Sequence, residues 1–225
     1  MRTPEAWLKA CALPLFTAAL VAASAGAPPA SPAAEKIRVA CVGDSITSGH
    51  PVARDKAYPA VLGELLGGGY EVRNFGHNSA TLARTGNFPY WKMPGFQQAT
   101  DFQPNIVIIA LGTNDSKVEA WMDRKQFVPD LKDLVRHFRA LPSRPKVHLA
   151  IPIPVNPERT RGITAEKVRD RVTPLIREVA AELETPLIDF YKPLADRLEL
   201  LPDSIHPNEA GYRIMAQAAF EAIVR

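Results

Sequence analysis

The sequence predicts an α/β protein built on a parallel β-sheet with helices on both of its faces. Short runs of β-branched and aliphatic residues, typical of strands buried on both faces, alternate along the chain with segments whose apolar residues recur at helical spacing. Alternating strands and helices form parallel sheets with right-handed crossovers. A length of 225 residues and a hydrophobic content of 46% suit one such domain.

Five apolar runs are the predicted strands, and four longer segments are the predicted helices. The strands cover residues 37–42, 70–75, 106–111, 147–151 and 187–190. The helices cover residues 58–66, 126–140, 164–184 and 207–224. Thr164 can cap the third helix, and Pro174 inside it predicts a kink or a break into two helices.

The first 25 residues predict a secretory signal peptide. Two positive charges precede an apolar stretch at residues 10–23, and Ala23-Ser24-Ala25 then offers the small residues that a signal peptidase requires. A loose Ala/Pro leader at 26–35 and a single domain at 36–225 complete the predicted organisation. We expect the mature protein to be secreted or periplasmic, without stable insertion into a membrane.

The composition argues against several classes of function. A formal net charge of +3 with no basic cluster gives no reason to predict a nucleic-acid partner. Cys41 is the only cysteine of the predicted mature chain and lies in an apolar strand, so we expect a buried, inert thiol. Because the sequence has neither an HExxH pattern nor a glycine-rich phosphate loop, we predict no metal and no other cofactor.

The loops that follow the strands contain the candidate catalytic residues, since ligands bind beyond the carboxyl ends of the strands in such sheets. Ser45 comes directly after the first strand, where its hydroxyl can project into the crevice, but a serine needs a base to act as a nucleophile. Asp203 and His206 are three residues apart, just before the last helix. At this spacing the carboxylate can fix the imidazole tautomer and leave the other ring nitrogen free to accept the Ser45 proton.

A serine hydrolase also needs hydrogen-bond donors for the oxyanion that forms during acyl transfer. Gly76 follows the second strand, and a glycine can bring its backbone N–H close to a ligand. Asn114 follows the third strand and can supply a side-chain amide. Both residues are predicted at the same edge of the sheet as Ser45.

The stretches GDSIT, the Gly76 loop, GTND and DSIHP, in this order, resemble the four conserved blocks of the SGNH or GDSL hydrolases. The resemblance covers essentially the whole predicted mature chain. It implies a three-layer α/β/α sandwich of the flavodoxin-like kind, with a five-stranded parallel sheet. It also implies that Ser45 is the nucleophile, His206 the base and Asp203 its orienting acid, with the oxyanion held by the Ser45 and Gly76 N–H groups and the Asn114 amide.

The sequence departs from this family at one place and indicates a branch within it. Many members have a second glycine three residues after the glycine of the second block, where this chain has Ser79. The stretches YPAVL, NFGHNSATL, PYWK and LGTNDSK resemble the sialate O-acetylesterase-like branch, which is associated with removing acetyl groups from carbohydrates. Asp44 and Trp91 are candidate substrate contacts, although Trp91 could equally be an aromatic packed under a long loop.

We therefore predict a secreted serine esterase that removes small acyl groups from carbohydrate hydroxyls through an acyl-serine intermediate. Its partner would be a small-molecule or glycan ester. Three alternatives stay open on the sequence alone. The same site could belong to a lipid esterase, lysophospholipase or thioesterase, or to a carbohydrate O-acyltransferase, or to a glycan-binding module that has lost catalysis.

Overall fold

The fold of the computed structural model is a five-stranded parallel sheet, and the structure describes residues 35–156 and 162–225. The predicted signal peptide and most of the predicted leader lie outside the described residues. All five predicted strands are confirmed, with bounds that differ by one residue at most from the prediction. The strands are β1 (Ile37–Gly43), β2 (Tyr70–Gly76), β3 (Ile106–Ala110), β4 (Lys146–Ile151) and β5 (Leu187–Asp189).

The described α-helices number six, of which the sequence predicted four. They are α1 (Ser45–Ser48), α2 (Tyr58–Leu66), α3 (Pro94–Asp101), α4 (Arg124–Arg139), α5 (Thr173–Glu182) and α6 (Glu209–Val224). The short α1 and α3 were missed. In α3 only Gly95 and Ala99 are buried, so this helix has no stripe of large apolar residues by which it could be recognised.

The alternation of side chains along β1 shows how the sheet is covered on both faces. Val39 and Cys41 contribute to a core shared with α2 and α6, whereas Ala40 and Val42 contribute to the core shared with α3, α4 and α5. The predicted three-layer α/β/α architecture is thereby confirmed. Cys41 is completely buried, and burial raises the pKa of its thiol to about 12, which accords with an inert cysteine.

Pro174 has the local effect that the sequence predicted. Residues Lys167–Val172 form a π-helical segment that runs directly into α5, in which Pro174 is the second residue. Proline has no N–H to donate to the preceding turn, and a widened π turn accommodates that missing hydrogen bond. Thr164 caps this region as predicted, because its hydroxyl accepts from the N–H of Lys167 at 3.2 Å.

The strand order β2-β1-β3-β4-β5 fixes where a ligand can bind. Strand β1 pairs with β2 on one side and with β3 on the other, so the order reverses at β1 and leaves a crevice at the carboxyl ends. Gly43 is in register with both Gly76 and Ala110, so β1, β2 and β3 end at nearly the same level. The three loops that follow them therefore converge. None of the described helices combines the length and the apolar character needed to cross a bilayer.

Candidate active site

Ser45 is held at the carboxyl end of β1 by the start of a short helix. It is the first residue of α1, and the carboxylate of Asp44 caps this helix by accepting from the N–H of Ile46 at 2.9 Å. Asn74, near the end of β2, donates its side-chain amide to the carbonyl of Thr47 at 2.7 Å and so ties β2 to α1. These contacts fix the direction in which the Ser45 side chain leaves the sheet.

The structure brings Ser45, His206 and Asp203 together in a continuous hydrogen-bonded chain. Ser45 Oγ lies 2.8 Å from His206 Nε2, and His206 Nδ1 lies 2.7 Å from Asp203 Oδ2. A carboxylate can only accept, so Nδ1 carries the proton and Nε2 accepts from the Ser45 hydroxyl. The imidazole is therefore in the tautomer that can take a proton from the serine.

Asp203 is itself positioned by the backbone. Its Oδ1 accepts from the N–H groups of Ile205 at 3.1 Å and His206 at 2.7 Å. Partial burial opposes ionisation, but hydrogen bonds from the His206 ring and from these two N–H groups outweigh it and hold the pKa of Asp203 below its usual value. An ionised Asp203 can stabilise the positive charge that develops on His206 during proton transfer.

His50 lies beside the hydrogen-bonded residues Ser45, His206 and Asp203, and it was not predicted there from the sequence. Its ring packs edge-on against the His206 ring, with 4.6 Å between the ring centroids, and its carbonyl accepts from the Tyr212 hydroxyl at 2.6 Å. His50, Asp203 and His206 each offer a ligand atom within 4.8 Å of the other two, so these three residues are the ones that could approach a metal ion in the described part of the chain. Two of them are already joined by their own hydrogen bond.

Asn114 lies beside Ser45 at the end of β3, and its amide is held by two acceptors. Nδ2 donates to the carbonyl of Ala80 at 3.1 Å and, at 3.4 Å, to Asp44 Oδ2. Both contacts fix the amide plane, and Asn114 lines the cavity next to Ser45. Asp44 itself does not reach that cavity, because its side chain is 1% exposed. The prediction of Asp44 as a substrate contact is therefore corrected: it is a helix cap and a partner of Asn114.

Burial also changes the acidity of Asp44. Loss of solvent raises its pKa to about 7, although the hydrogen bond that the N–H of Ile46 donates to the carboxylate and the positive charge of Lys117 both favour the anion. Asp115, the next residue after Asn114, is completely buried, and burial raises its pKa to about 6. Asp115 accepts from the N–H groups of Leu82 at 2.9 Å and Ala83 at 2.8 Å, and so anchors the loop that follows β2.

Gly76 lies at the end of β2, as predicted, but its predicted role as an oxyanion donor is corrected. Its N–H donates to Asn74 Oδ1 at 2.9 Å and is not directed at Ser45. A Cβ atom at this position would lie 2.4 Å from the N of Ser48 and 2.9 Å from the O of Asp44. The absence of a side chain at Gly76 thus allows β2 to pack closely against α1, since any larger residue would push the two apart.

Ser79 belongs to the same loop as Gly76 and follows it by three residues. It lines the same cavity as Ser45 and Asn114, and its backbone has a φ of 65°, in the left-handed region that favours glycine. Within the described ranges, neither the N–H of Ser45 nor that of Ser79 donates to a protein acceptor. The signal in the sequence was the family glycine that is replaced by Ser79.

Trp91 does not lie at the site, which corrects its prediction as a substrate contact. Its indole N–H donates to the carbonyl of Leu82 at 3.1 Å, and its ring packs against Phe96. The guanidinium of Arg84 lies 3.9 Å from the Trp91 ring centroid and also pairs with Asp130 at 2.7 Å. The alternative prediction for Trp91, an aromatic side chain packed under the long loop, agrees with these contacts.

The cavity above Ser45 is small and half-open. Its volume is about 160 Å³, equivalent to roughly five water molecules in liquid volume. It is lined by Ser45, His50, Asn78, Ser79, Thr113, Asn114, Lys117, Ile163, Ile205 and His206. A larger depression of about 610 Å³ beside Arg124 and Arg171 contains neither serine nor histidine. A small acyl group fits within the cavity at Ser45.

Comparison with known proteins places these features in a family. The model of the GDSL-like Lipase/Acylhydrolase family matches residues 41–214. The acetylxylan esterase of Xylanibacter ruminicola is 36% identical over 213 residues, which cover 86% of this chain and 44% of that relative. The chain thus spans about half the length of this relative.

Solved structures of esterases have the same fold. The native aryl esterase of M. smegmatis is 23% identical, with a TM-score of 0.67, and the match covers 83% of this chain and 98% of that one. A carbohydrate acetylesterase family member from Sinorhizobium meliloti is 21% identical, with a TM-score of 0.63, and the match covers 83% of this chain and 96% of that one. At these identities the likeness supports the fold.

Proposed function

The chain belongs to the GDSL-like lipase/acylhydrolase family, a family of carboxylic ester hydrolases, and from that premise we propose that it removes acetyl groups from carbohydrate hydroxyls. The observation that carries the proposal is the Ser45–His206–Asp203 hydrogen-bonded chain, of which Ser45 and His206 line a cavity of about 160 Å³. The similarity to an acetylxylan esterase supports a carbohydrate ester as the substrate.

In the proposed mechanism, Ser45 is the nucleophile and His206 the general base. Oγ attacks the acetyl carbonyl while Nε2 takes its proton, and Asp203 stabilises the resulting imidazolium. The tetrahedral intermediate then collapses: the bond to the sugar oxygen breaks, and that oxygen receives the proton from Nε2. Water attacks the acetyl-serine by the same route, which releases acetate and restores Ser45.

Three donors are proposed for the oxyanion of the tetrahedral intermediate. They are the N–H of Ser45, the amide of Asn114 and the N–H of Ser79. The last of these replaces Gly76, because the Gly76 N–H is already bonded to Asn74. The long 3.4 Å contact from the Asn114 amide to Asp44 would give way to the shorter hydrogen bond with the oxyanion. Removing one such donor typically slows acyl transfer by about 10²- to 10³-fold.

The size of the cavity favours short acyl groups over the lipid-esterase alternative. An acetyl group, with three heavy atoms, is smaller than a cavity that equals roughly five water molecules, whereas an octanoyl group, with nine heavy atoms, would extend out of it into solvent. Apolar surface left in water contributes nothing to binding, so each methylene beyond the cavity gains little. We propose hydrolysis rather than transfer to a sugar, and export by the signal peptide at residues 1–25.

The test compares the hydrolysis of p-nitrophenyl acetate, butyrate and octanoate by the wild type, Ser45→Ala and the control Ser143→Ala. Ser143 lies between α4 and β4, at the opposite edge of the sheet. We expect rates to fall from acetate to octanoate, to vanish in Ser45→Ala and to persist in Ser143→Ala. The same proteins should release acetate from acetylated xylo-oligosaccharides with the same dependence on Ser45. Turnover that survives Ser45→Ala would overturn the mechanism, and faster turnover of octanoate would overturn the substrate.

A further inference from the structure

Among the described residues that line the cavity, Lys117 is the one lysine or arginine. It ends the 3₁₀-helix Asn114–Lys117, which follows β3. In a 3₁₀-helix the side chains at positions i and i+3 eclipse one another, so the side chains of Lys117 and Asn114 lie on the same side of this helix. Asn114 is the proposed amide donor to the oxyanion, and Lys117 is therefore placed one layer further out, where the remainder of a substrate would lie.

The charge of Lys117 is not neutralised by an ion pair with any residue that the structure describes. Neighbouring acids are engaged elsewhere: Asp115 is buried against the N–H groups of Leu82 and Ala83, and Glu119 pairs with Arg171 at 3.3 Å. The lining side chains that belong to the described part of the chain include no carboxylate. A substrate entering this cavity thus meets an exposed ammonium group that pairs directly with no carboxylate of the described residues, although the buried Asp44 lies within reach of its charge.

We propose that Lys117 makes the site selective for acetylated sugars that carry a negatively charged group next to the ester. This inference rests on the proposed function, and it narrows the substrate class to acidic carbohydrates, with a sugar carboxylate or a sulfate ester as the charged group. Lys117 acts as a specificity residue: it binds the charged group, and it takes no part in the transfer of protons or of the acetyl group.

The expected effect is modest because Lys117 is solvent-exposed. Exposed ion pairs usually contribute less than about 1 kcal/mol, which corresponds to a preference of about three- to fivefold in kcat/KM, and partial desolvation by the bound sugar would raise it toward tenfold. Because a charged group on the sugar contacts Lys117 in the ground state as well as in the transition state, the preference should appear in KM rather than in kcat. High salt should reduce the preference for charged substrates, since the screening length falls to about 3 Å at 1 M ionic strength.

The charge of Lys117 also influences the ionisation of Asp44, a buried acid near the cavity. Burial raises the pKa of Asp44 to about 7 and the charge of Lys117 acts against that rise, so a change at Lys117 alters Asp44, which holds Asn114. A structural effect of this kind would change hydrolysis of neutral and anionic esters alike. The ratio of the two rates therefore separates recognition of charge from support of Asn114.

The experiment measures kcat/KM for acetate release from three matched probes: acetylated methyl glucoside, acetylated methyl glucuronate and acetylated methyl glucoside 6-sulfate. The proteins are the wild type, Lys117→Gln, Lys117→Glu and the control Lys36→Gln. Lys36 is an exposed residue that precedes β1, at the amino end of the sheet. We expect the wild type and the control to prefer the anionic probes about three- to tenfold, Lys117→Gln to have a ratio near 1, and Lys117→Glu to prefer the neutral probe.

The possible results distinguish this inference from the function on which it rests. A ratio near 1 in the wild type, or a ratio that Lys117→Gln leaves unchanged, would overturn the role of Lys117 while acetate release continues to support the esterase. Absence of acetate release from all three probes, with p-nitrophenyl acetate still hydrolysed, would overturn the carbohydrate substrate and this inference together. A preference for the glucuronate alone identifies a carboxylate as the recognised group, and an equal preference for the sulfate shows that charge is sufficient.

Discussion

The substitution Asp203→Asn tests the proposed chemistry through a single hydrogen bond. Asparagine has the shape of aspartate but carries one acceptor and one donor in place of two acceptors. Asp203 Oδ1 accepts from two backbone N–H groups, those of Ile205 and His206, whereas Oδ2 accepts from His206 Nδ1 at 2.7 Å. The two backbone donors will hold the amide oxygen of the variant at the Oδ1 position, and its NH₂ group will face Nδ1.

An NH₂ group in that place favours the inactive tautomer of His206. Nδ1 becomes the acceptor, the proton moves to Nε2, and Nε2 can no longer accept from Ser45. Relative to the wild type, the variant lacks the charge-assisted hydrogen bond of about 1.5–3 kcal/mol, and its active tautomer leaves two donors facing each other, which costs about 1–3 kcal/mol more. A total of about 2.5–6 kcal/mol corresponds to a loss of about 10²- to 10⁴-fold in kcat/KM.

The matched control is Asp203→Ala, which removes the carboxylate without imposing a tautomer. The Asp203 side chain is 29% exposed, so water can occupy the vacated space and solvate Nδ1. Only the charge-assisted bond is then lost, which gives a decrease of about 10- to 10²-fold. The assay is kcat/KM for p-nitrophenyl acetate between pH 7 and 9, with thermal unfolding to check that both variants fold. If the asparagine variant is as active as the alanine variant or more so, the assigned tautomer and the role of Asp203 are refuted.

Three further predictions concern residues around the site and in the core. His148 is 1% exposed, neither ring nitrogen has a hydrogen-bond partner among the described residues, and burial with the nearby charge of Lys146 lowers its pKa to about 4. Because only the unfolded chain takes up this proton between pH 6.5 and 4, the fold loses stability as the pH falls. As the pH falls from 7.5 to 4.5, the free energy of unfolding of His148→Leu, measured in urea, should therefore rise by about 2–3 kcal/mol relative to that of the wild type. A difference in unfolding free energy that stays constant with pH would contradict this. Gly76→Ala keeps the backbone N–H but places a Cβ 2.4 Å from the N of Ser48. We therefore expect this substitution to lower kcat/KM and to lower the free energy of unfolding by about 2 kcal/mol or more. An unchanged Tm would show that the close packing of β2 against α1 is not needed. Trp91→Phe should lower stability by about 1–2 kcal/mol, through the lost bond to Leu82 and weaker stacking of Arg84, without a change in KM for acetylated sugars; a raised KM would return Trp91 to the substrate site.

The elements of the fold were predictable because their signals lie in consecutive residues. The apolar runs of β1 and β3 and the helical periodicity of α4 need no knowledge of distant contacts. Pro174 marked the disturbed helix for the same reason. The α3 helix lacked such a signal, since eight residues with two small buried side chains form no recognisable face.

The candidate site was predictable only in part. The rule that ligands bind beyond the carboxyl ends of parallel strands directed attention to the loops of Ser45 and Asn114, and both residues line one cavity. The three-residue spacing of Asp203 and His206 likewise indicated the contact that the structure contains. Their roles in catalysis remain predictions, for which the experiments above are designed.

The sequence by itself determined the order of strands and helices, the layers they form and the residues that emerge at one edge of the sheet. Tertiary structure decided which groups face the cavity: Ser79 rather than Gly76, Lys117 rather than Asp44, and a Trp91 packed against Phe96. The physical reason is that the direction of an N–H or a side chain in a loop depends on contacts between distant residues. Asp115 holds the loop after β2 through the N–H groups of Leu82 and Ala83, and no pattern in consecutive residues records that contact.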